Sequence, residues 1–441
     1  MEINTAIVAG TGKSGISATK LLVNHGVKVY LFDENKDRDI EAIKEKTGDS
    51  ELVQIELGEL GEDALSSSQL MVISPGIPVD APFTDVVRNA GIPIWSEIEL
   101  AYHYGKGKIA AITGTNGKTT TTALVGEIVK AHNAKTIVVG NIGIPYTELC
   151  DTTDDDSDTV AEISSFQLET VIDFHPNVSA ILNLTPDHLN RHYTFENYGN
   201  VKFSITKNQT MDDVTVLNYD DEHTRAMGEK AKDHCHVVYF SRLEKPAGGV
   251  YVEDGDIILE DGDKKINVLA IKDLKLMGAH NVENVLAAVG ISYYMGVPVD
   301  VIRDVATSFK AVAHRIEYVD TVDGVAYYND SKGTNPDAAI KGIQAMVAPT
   351  FLIGGGYDKG SEYDEWIEAF DGKVKWLVLI GQTAQKIADC AKRHGFNSII
   401  FEENLQDAVA YCHENAVDGD AVLLSPACAS WGQFDNYEQR G

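Results

Sequence analysis

Two glycine-rich loops constrain the fold of this chain most strongly, because each lies between an apolar strand-like run and a helix-like run. The first is Gly10-Thr11-Gly12-Lys13-Ser14-Gly15 and the second is Gly114-Thr115-Asn116-Gly117-Lys118-Thr119. Such a turn lets backbone N–H groups and the positive end of a helix close on a phosphate, and a lysine followed by a threonine adds a mobile charge and a Mg²⁺ ligand. Two loops of different character predict two different nucleotide sites.

The length of 441 residues is enough for several domains. A hydrophobic fraction of 44% and a charged fraction of 24% are those of ordinary globular proteins. Alternating strand-like and helix-like runs predict an α/β protein of three domains. We expect a Rossmann-like domain over residues 1–96, a P-loop ATPase-like domain with a mostly parallel sheet over residues 97–311, and a Rossmann-like domain over residues 312–441.

The first domain begins with a βαβ series. Strand-like runs cover Thr5 to Ala9, Lys28 to Phe32 and Leu70 to Ile73, and Asp33 follows the second of them. Dinucleotide-binding folds place a carboxylate there, on a ribose hydroxyl. Taken alone, this segment indicates an NAD-dependent dehydrogenase, but a single GxGxxG motif is a weak signal and the second loop argues against that interpretation.

The second loop follows the apolar run Ile109 to Thr113 and keeps only the short form G-x-x-G-K-T of the phosphate-binding motif. Two later strand-like runs, Val160 to Ile163 and Val178 to Leu184, end near Glu162 and His188. Because polar residues at the carboxyl ends of parallel strands converge on the ligand crevice, both are candidate metal ligands. A helix-capping or surface glutamate and a structural histidine are the alternatives.

Between Asp213 and Lys272 the pattern changes to short strands with tight Asp-Gly-Asp corners, which predicts a small antiparallel appendage to the central sheet. Helical periodicity then returns and places Asn281 and Asn284 on one helical face. The two amides are suited to a nucleobase edge, or equally to capping the helix.

A third α/β series follows. Its polar residues gather after strand-like runs, in the segments Asp330 to Pro336, Gly354 to Lys359 and Ser425 to Ser430. By the same reasoning, these segments are expected to line one crevice.

The formal net charge of −30 excludes nucleic acid and anionic membrane surfaces as expected partners, because the long-range field repels both. The five cysteines are odd in number and far apart, which indicates free thiols in a reducing compartment. We find no signal-peptide pattern and no apolar stretch near the roughly 20 residues that span a bilayer. A cytoplasmic location is therefore expected.

Nine motifs in one order resemble the Mur ligase family of ATP-dependent amide-bond synthetases: GTNGKT, GNIG, AEISSFQLE, NLTPDH, GAHNVENVLAA, HRIE, NDSKGTNP, IGGGYDKG and SPACAS. They span the whole chain. Family members continue with a short helix beyond the position of Gly441, so we expect further residues to follow it.

The resemblance implies a reaction. ATP would phosphorylate the carboxylate of UDP-N-acetylmuramoyl-L-alanine, and the amino group of D-glutamate would attack the acyl phosphate through a tetrahedral intermediate, in cytoplasmic peptidoglycan precursor synthesis. The implied cofactors are ATP and two Mg²⁺ ions, and we expect a monomer. Another Mur-type ligase, a folyl-polyglutamate synthetase and a non-enzymatic nucleotide sensor are the alternatives.

The resemblance also assigns roles around the phosphates. Lys118 would hold the β and γ phosphates, Thr119 and Glu162 the first Mg²⁺, and His188 with a carbamylated Lys202 the second. Without the resemblance, Lys202 is an ordinary helix lysine. Lys332 would lie near the reacting phosphate. The remaining implied ATP contacts are Gly114, Thr115, Asn116, Gly117, Thr120, Asn284, Arg315 and Asp330.

Two further sets are implied for the other substrates. The D-glutamate pocket would contain Thr334, Lys359, Ser430 and Tyr437, where Tyr437 replaces the more usual phenylalanine. The UDP sugar would contact Ser14, Asp33, Gly76 and Asn141, so the first glycine loop would bind a uridine diphosphate and have no redox role.

Overall fold

The computed structural model describes residues 3–141, 143–276, 278–310 and 314–441. By their internal contacts, the residues form two compact units, which are described separately: Met1–Lys272 with Asn284–Thr307, and Asp273–Glu283 with Ser308–Gly441. Within the described ranges, no helix combines the length and the apolar character that crossing a membrane requires.

The first sheet has five parallel strands in the order β3-β2-β1-β4-β5. The strands are β1 Thr5–Ala9, β2 Lys28–Asp33, β3 Val53–Leu57, β4 Leu70–Ile73 and β5 Ile94–Ser96. The helices are α1 Lys13–Asn24, α2 Ile40–Thr47, α3 Glu62–Ser67, α4 Pro82–Asn89 and α5 Glu97–Tyr104. Alternate residues of β1 pack into different apolar clusters, Ala6 and Val8 into one and Ile7 and Ala9 into the other. Both faces of the sheet are therefore covered, as the continuous apolar run Ala6 to Ala9 requires.

The second sheet has nine strands in the order β14-β13-β12-β11-β10-β9-β6-β8-β7. They are β6 Lys108–Thr113, β7 Ile137–Gly140, β8 Asp158–Glu162, β9 Val178–Ile181, β10 Val214–Asn218, β11 His236–Ser241, β12 Gly249–Glu253, β13 Asp256–Asp261 and β14 Lys264–Ala270. Strands β6 to β12 run parallel, and β12, β13 and β14 form an antiparallel meander at one edge.

The helices that follow strands of this sheet vary widely in length. They are α6 Lys118–His132, α7 Tyr146–Leu149, α8 Ser165–Leu168, α9 Leu189–His192, α10 Phe195–Phe203, α11 Glu222–Ala231, α12 Ala279–Tyr294 and α13 Val299–Ser308. Short 3₁₀ turns cover Cys150–Thr152, Ser204–Thr206 and Ile271–Asp273.

A buried chain of polar side chains joins the first two sheets of this unit. The Thr147 hydroxyl, on α7, lies 2.9 Å from the Ser17 hydroxyl on α1 and donates to Glu97 Oε1 on α5 at 2.8 Å. Gln167 Nε2, on α8, donates to Glu97 Oε2 at 3.5 Å. Burial raises the pKa of the Glu97 carboxyl despite these hydrogen bonds.

The second unit contains a six-stranded sheet in the order β15-β16-β20-β17-β18-β19, parallel except for the antiparallel edge pair β15 and β16. The strands are β15 Glu317–Val322, β16 Val325–Asn329, β17 Thr350–Gly354, β18 Val374–Leu379, β19 Ile399–Phe401 and β20 Ala421–Leu424. The helices are α14 Pro336–Ala345, α15 Asp364–Glu368, α16 Ala384–Arg393, α17 Leu405–Asn415 and α18 Tyr437–Arg440.

The predicted α/β fold class is confirmed, with a mostly parallel central sheet and an antiparallel appendage. The appendage, predicted for Asp213 to Lys272, is confined to β12, β13 and β14, because β10 and β11 pair in parallel with their neighbours and extend the main sheet. The predicted domain limits remain a prediction, and the limit between residues 311 and 312 lies outside the described residues. Strands β3, β5 and β15 had no counterpart among the predicted runs. The predicted run Val178 to Leu184 ends three residues earlier in the structure, at Ile181.

Candidate active site

Both glycine loops follow a strand at which the winding of its sheet reverses. Strand β1 lies between β2 and β4, and β6 lies between β8 and β9. In open parallel α/β sheets, ligands bind in the crevice at the carboxyl ends of strands at such a switch point. Each loop therefore lies at the place in its sheet where a ligand site is expected.

The helices that follow the two loops begin without a capping side chain. The N-cap of α1 is Gly12 and that of α6 is Gly117, and neither helix has an acidic residue in its first turn. Helix α2, in contrast, is capped by the Asp39 carboxylate. An uncapped first turn leaves backbone N–H groups and the positive end of the helix dipole open to an anion.

In the second loop, Lys118 is the first residue of α6, and its ammonium is held over the loop itself. Lys118 Nζ donates to the carbonyls of Gly114, at 2.8 Å, and Thr115, at 2.5 Å. Gly117 has a φ of +82°, and a Cβ there would overlap Asn284 Oδ1. The loop therefore requires glycine at 117, and Asn284 lies against it. The predicted contact of Asn284 with ATP remains a prediction.

Next to Lys118, the Thr119 hydroxyl donates to Glu162 Oε2 at 2.8 Å. Glu162 is the last residue of β8 and is buried. Its other carboxylate oxygen accepts a 3.0 Å hydrogen bond from Asn141 Nδ2. A hydroxyl, a carboxylate and an amide oxygen are the ligands that Mg²⁺ prefers. Asn141 thus lies with Glu162, and its predicted contact with the UDP sugar remains a prediction.

Lys202 is buried under the same loop, on α10, with a relative exposure of 1%. Its Nζ donates to Gly114 O at 2.8 Å and to the Thr113 hydroxyl at 3.3 Å. It also lies 4.8 Å from the centre of the Tyr198 ring. Burial, and then the nearby charge of Lys118, lower the pKa of Lys202 well below its usual value. This lysine is therefore no ordinary solvent-exposed helix residue.

His188 precedes α9 in a left-handed conformation, with a φ of +53°. Its ring packs edge-on against Phe166 at 4.8 Å, and its Nε2 lies 3.5 Å from Asp187 Oδ2. The structure thus places His188 in the segment that follows β9, the neighbour of β6.

Two residues that hold the second loop were missed by the sequence-based prediction. Asn183 accepts from Asn116 N at 2.8 Å and donates to Asn116 O at 3.1 Å. The Tyr198 hydroxyl lies 3.1 Å from the Thr115 hydroxyl. Asn183 is the first residue of the motif NLTPDH, so the sequence contained a signal for its role. The only sequence signal for Tyr198 is its position four residues, or about one helical turn, before Lys202.

In the first loop, Asp33 is the central polar partner. Its Oδ2 accepts from the Thr11 backbone at 3.1 Å and from the Thr11 hydroxyl at 2.6 Å, and it lies 3.3 Å from Arg38 Nε. Burial would raise the pKa of Asp33, but the hydrogen bonds from Thr11 and Asn35 and the charge of Arg38 outweigh it, and the pKa is lowered. Asp33 is therefore an ionised acceptor beside the loop.

The other residues predicted for the UDP sugar lie in or beside this loop. Ser14 is in the first turn of α1 and Gly76 is exposed in the turn after β4. A Cβ at Gly10 would meet Ser74 Oγ at 2.6 Å, so the turn after β4 closely approaches the first loop. Ser14, Asp33 and Gly76 thus occupy neighbouring segments.

In the second unit, Asp330 follows β16 and is fully buried. It accepts from the Ser425 hydroxyl at 2.7 Å and lies 3.9 Å from Arg315 NH1. Burial raises the pKa of Asp330 to about 6, against the opposing effects of Arg315 and Ser425. The segments after β16 and β20 are thereby joined by a buried carboxylate.

Two lysines of this unit, which the sequence analysis assigned to the site, lie over aromatic rings. Lys332 Nζ lies 5.2 Å from the centre of the Tyr437 ring, and Lys359 Nζ lies 5.5 Å from that of Trp431. Such contacts orient an ammonium without neutralising it. Trp431, which the prediction missed, directly follows Ser430 and also packs against Tyr357 at 5.6 Å.

The predicted pocket residues follow three neighbouring strands: Thr334 follows β16, Lys359 follows β17 and Ser430 follows β20. Arg440, also missed, holds two of these segments together. It donates to Ser331 O at 2.7 Å and to Cys428 O at 3.0 Å. Its burial could not be inferred from the sequence, because arginine is rarely a core residue.

Comparison with known proteins assigns all three regions to one family. The Mur ligase MurD-like N-terminal domain matches residues 4–96, the Mur ligase middle domain matches 112–292, and the Mur ligase glutamate ligase domain matches 314–428.

Relatives of high identity extend over the whole chain. A UDP-N-acetylmuramoylalanine--D-glutamate ligase of Lachnospira eligens is 56% identical over 441 residues, which cover 100% of this chain and 97% of the relative. A protein of the same name from Clostridioides difficile is 46% identical and covers 99% of this chain and 96% of its own.

Solved structures share the fold at low sequence identity. UDP-N-acetylmuramate-alanine ligase MurC from Thermotoga maritima aligns with a TM-score of 0.60 at 19% identity, over 97% of this chain and 96% of that chain. A MurF structure from Acinetobacter baumannii gives a TM-score of 0.62 at 16% identity, over 96% and 90%. The chain belongs to the Mur ligase family, as its motifs predict.

Proposed function

We propose that this chain is an ATP-dependent ligase that joins D-glutamate to UDP-N-acetylmuramoyl-L-alanine in cytoplasmic peptidoglycan precursor synthesis. The observation that carries the proposal is the 56% identity to a ligase of that name over the full chain. The uncapped P-loop with Lys118, Thr119 and Glu162 supports it, because these groups suit a nucleoside triphosphate.

The chemistry starts with the substrate carboxylate, whose oxygen attacks the γ phosphorus of ATP, so that ADP leaves and an acyl phosphate forms. The amino group of D-glutamate then attacks the acyl carbon, loses a proton, and phosphate departs from the tetrahedral intermediate. Lys118 can leave its loop carbonyls to neutralise the β and γ phosphates, and Lys332 is assigned to the transferred phosphate. Charge neutralisation is the principal requirement of phosphoryl transfer between anions.

Members of the family use ATP and Mg²⁺, and the donor set of this chain fits such an ion. Thr119, Glu162 and Asn141 offer oxygen ligands that already contact one another. We assign Thr119 and Glu162 to the first Mg²⁺, and His188 and Lys202 to the second. Bound Mg²⁺ offsets the charge of the phosphates and polarises them.

For the second ion, we propose that Lys202 is carbamylated. Its buried amine lies near Lys118, and both features favour the neutral form that adds to CO₂. In this step the Nζ–carbon bond forms and one proton leaves, which converts a group that repels Mg²⁺ into one that resembles a carboxylate.

The first loop is assigned to the UDP portion of the substrate, with Ser14, Asp33 and Gly76 around it. The C-terminal pocket is assigned to D-glutamate, with Lys359 pairing a carboxylate and Thr334 and Ser430 donating hydrogen bonds. Tyr437 would form its edge. A dicarboxylic amino acid suits an ammonium and two hydroxyls.

One assay separates this function from its alternatives. With UDP-N-acetylmuramoyl-L-alanine as the acceptor, ADP release should depend on D-glutamate and be far slower with other amino acids, including L-glutamate. Preference for L-alanine or for a folate acceptor would indicate a different ligase. ATP binding without turnover in any combination would indicate a nucleotide sensor, and NAD-dependent oxidation of a substrate would restore the dehydrogenase interpretation.

A further inference from the structure

The second unit contains a cluster of metal-ligating side chains away from the residues assigned above. Asp364 is the first residue of α15, Cys390 lies in the last turn of α16, and His394 directly follows that helix. One carboxylate oxygen, the Cys390 sulfur and one imidazole nitrogen of His394 all lie within 4.8 Å of one another. We propose that Asp364, Cys390 and His394 bind a thiophilic divalent cation of the zinc class.

Local structure fixes the spacing of these ligands. His394 N donates to Cys390 O at 3.2 Å, so the backbone completes a helical turn from Cys390 to His394. Side chains four residues apart on a helix project from the same face. Cys390 and His394 therefore present a sulfur and a nitrogen side by side, and Asp364 on the neighbouring helix α15 supplies an oxygen.

The present contacts of Asp364 show how closely the three groups converge. Asp364 Oδ1 lies 2.8 Å from His394 Nε2, and the Cys390 sulfur lies within 4.8 Å of the ligand atoms that Asp364 and His394 offer. Zinc holds N, O and S ligands at about 2.0 to 2.3 Å, so a tetrahedral ion needs only small side-chain adjustments here. On binding, a sulfur–metal bond forms and the thiol proton leaves to solvent.

A second carboxylate supports the imidazole. His394 Nδ1 lies 3.7 Å from Glu368 Oε1, on the next turn of α15. Metal-bound histidines commonly donate their other ring N–H to a carboxylate, which orients the ring and increases its basicity. Arg393 NH2, 3.5 Å from Asp364 Oδ1, acts in the opposite direction, because a cation competes for the carboxylate.

Burial differs across the cluster in a way that suits a metal site. Cys390 is 2% exposed and belongs to an apolar cluster with Trp366 and Phe370, whereas the side chains of Asp364 and His394 are 45% and 26% exposed. The sulfur is thus shielded, and an ion can enter from the solvent side. An oxygen-preferring ion such as Mg²⁺ is disfavoured by the thiolate.

Among the described residues, a second group of similar size consists of Glu99, His103 and Asp173. Its Glu99 carboxylate already accepts from three successive backbone N–H groups, those of residues 172, 173 and 174. The carboxylate oxygens of Glu99 are thus already hydrogen-bonded to the backbone, and the arrangement of this group is explained without a metal ion.

Cobalt(II) is the probe, because a Co²⁺–thiolate bond gives a near-ultraviolet charge-transfer band that an oxygen-ligated site does not. The reduced full-length chain, titrated with Co²⁺ in the presence of Mg²⁺, should develop this band at one equivalent and lose it when Zn²⁺ is added. Cys390→Ser should abolish the band, and Cys412→Ser, at another buried thiol of the same unit, should preserve it. Glu368→Gln should weaken Co²⁺ binding about ten- to a hundredfold.

The absence of the band in the wild-type chain, or its persistence in Cys390→Ser, overturns the proposal. His394→Gln provides a second route should Cys390→Ser fail to fold, because His394 is partly exposed. In that variant, Co²⁺ affinity should fall at least about tenfold, as expected for the loss of one of three ligands. Unchanged affinity would equally overturn the proposal.

Discussion

The two glycine loops have the same backbone arrangement but differ in their main charged neighbour, which is a carboxylate at the first loop and a buried lysine at the second. Each follows a strand at a topological switch point, each leads into an uncapped helix, and each places a lysine, Lys13 or Lys118, at the first helical position. Lys13 is exposed, and the polar partner of its loop is the carboxylate of Asp33. Lys118 lies on its own loop carbonyls above a second, buried lysine, Lys202.

A glycine-rich turn before an uncapped helix suits an anion, and it does not by itself determine which anion. In the function proposed above, the chemistry depends on residues of neighbouring strands and helices: Asp33 at the end of β2 for the first loop, and Glu162 at the end of β8 with Lys202 on α10 for the second. A GxGxxG motif by itself therefore does not identify a redox cofactor.

The largest effect is expected from Lys118→Ala. Turnover should fall at least roughly a hundredfold, since one preorganised charge-stabilising donor is removed. Binding of the UDP substrate, measured by calorimetry, should stay nearly unchanged because Lys118 belongs to the other loop.

Lys13→Ala is the matched control, at the same helical position of the first loop. It should leave ATP-dependent turnover at saturating substrate close to wild type. Equal losses of UDP-substrate affinity in both variants would mean that the two loops do not serve different nucleotides.

Lys202→Ala should lose most activity, and a small carboxylic acid such as acetate or formate should restore part of it by occupying the vacated position. Lys202→Gln retains the bulk of the side chain and should be rescued less. The measurement is initial rate against acid concentration. A buried lysine with a purely structural role predicts no rescue, and near-wild-type activity without added acid would contradict the carbamate.

Lys359→Ala tests whether the C-terminal pocket is independent of both loops. The apparent KM for D-glutamate should rise about ten- to a hundredfold, the equivalent of a lost charge-assisted hydrogen bond of roughly 1.5 to 3 kcal/mol. The KM values for ATP and the UDP substrate should change little. Trp431→Leu, which removes only the ring beneath the ammonium, should give a smaller increase of the same kind. Parallel increases for ATP and D-glutamate would assign Lys359 to phosphate binding.

The smallest effect is expected from Asp33→Asn, which keeps the shape and one acceptor oxygen. UDP-substrate affinity should fall about three- to tenfold and ATP affinity should be unaffected, in line with a net hydrogen-bond contribution of about 1 kcal/mol. Calorimetry with each nucleotide in turn measures both.

The same variant has a signature in stability. Because the pKa of Asp33 is held below its ordinary value, its ionised form stabilises the fold above that value, and the contribution disappears as the pH falls through the lowered pKa. Wild type and Asp33→Asn should therefore differ in urea midpoint at neutral pH and converge in acid. A constant difference across this range would show that the charge of Asp33 does not stabilise the fold.

Sequence reasoning succeeded where the signal was contiguous. β1 was predicted with the right limits because Ala6 to Ala9 are all apolar and the run ends in a glycine turn. Strands β3 and β15 were missed because VQIEL and EYVDTV carry polar residues and lie at sheet edges, where neither face needs to be wholly apolar.

The same limit applies to the site. Loop residues such as Lys118 and Asp330 stand in recognisable motifs, whereas Tyr198 reaches the loop from 83 residues further along the chain. The burial of Lys202 is likewise a property of the packed structure. Only the family resemblance separated it from a surface lysine, because composition and periodicity are the same for both.

The buried chain of Ser17, Thr147, Glu97 and Gln167 determines how this protein can be recombined with its relatives. A graft that replaced only residues 1–96 would leave Thr147 and the buried Glu97 facing an unmatched helix. An unpaired buried polar group costs roughly 1 to 3 kcal/mol, enough to undermine a marginally stable chimaera. Residues 1–96 are therefore not independently exchangeable, and a working exchange would have to carry α1, α5 and α7 together.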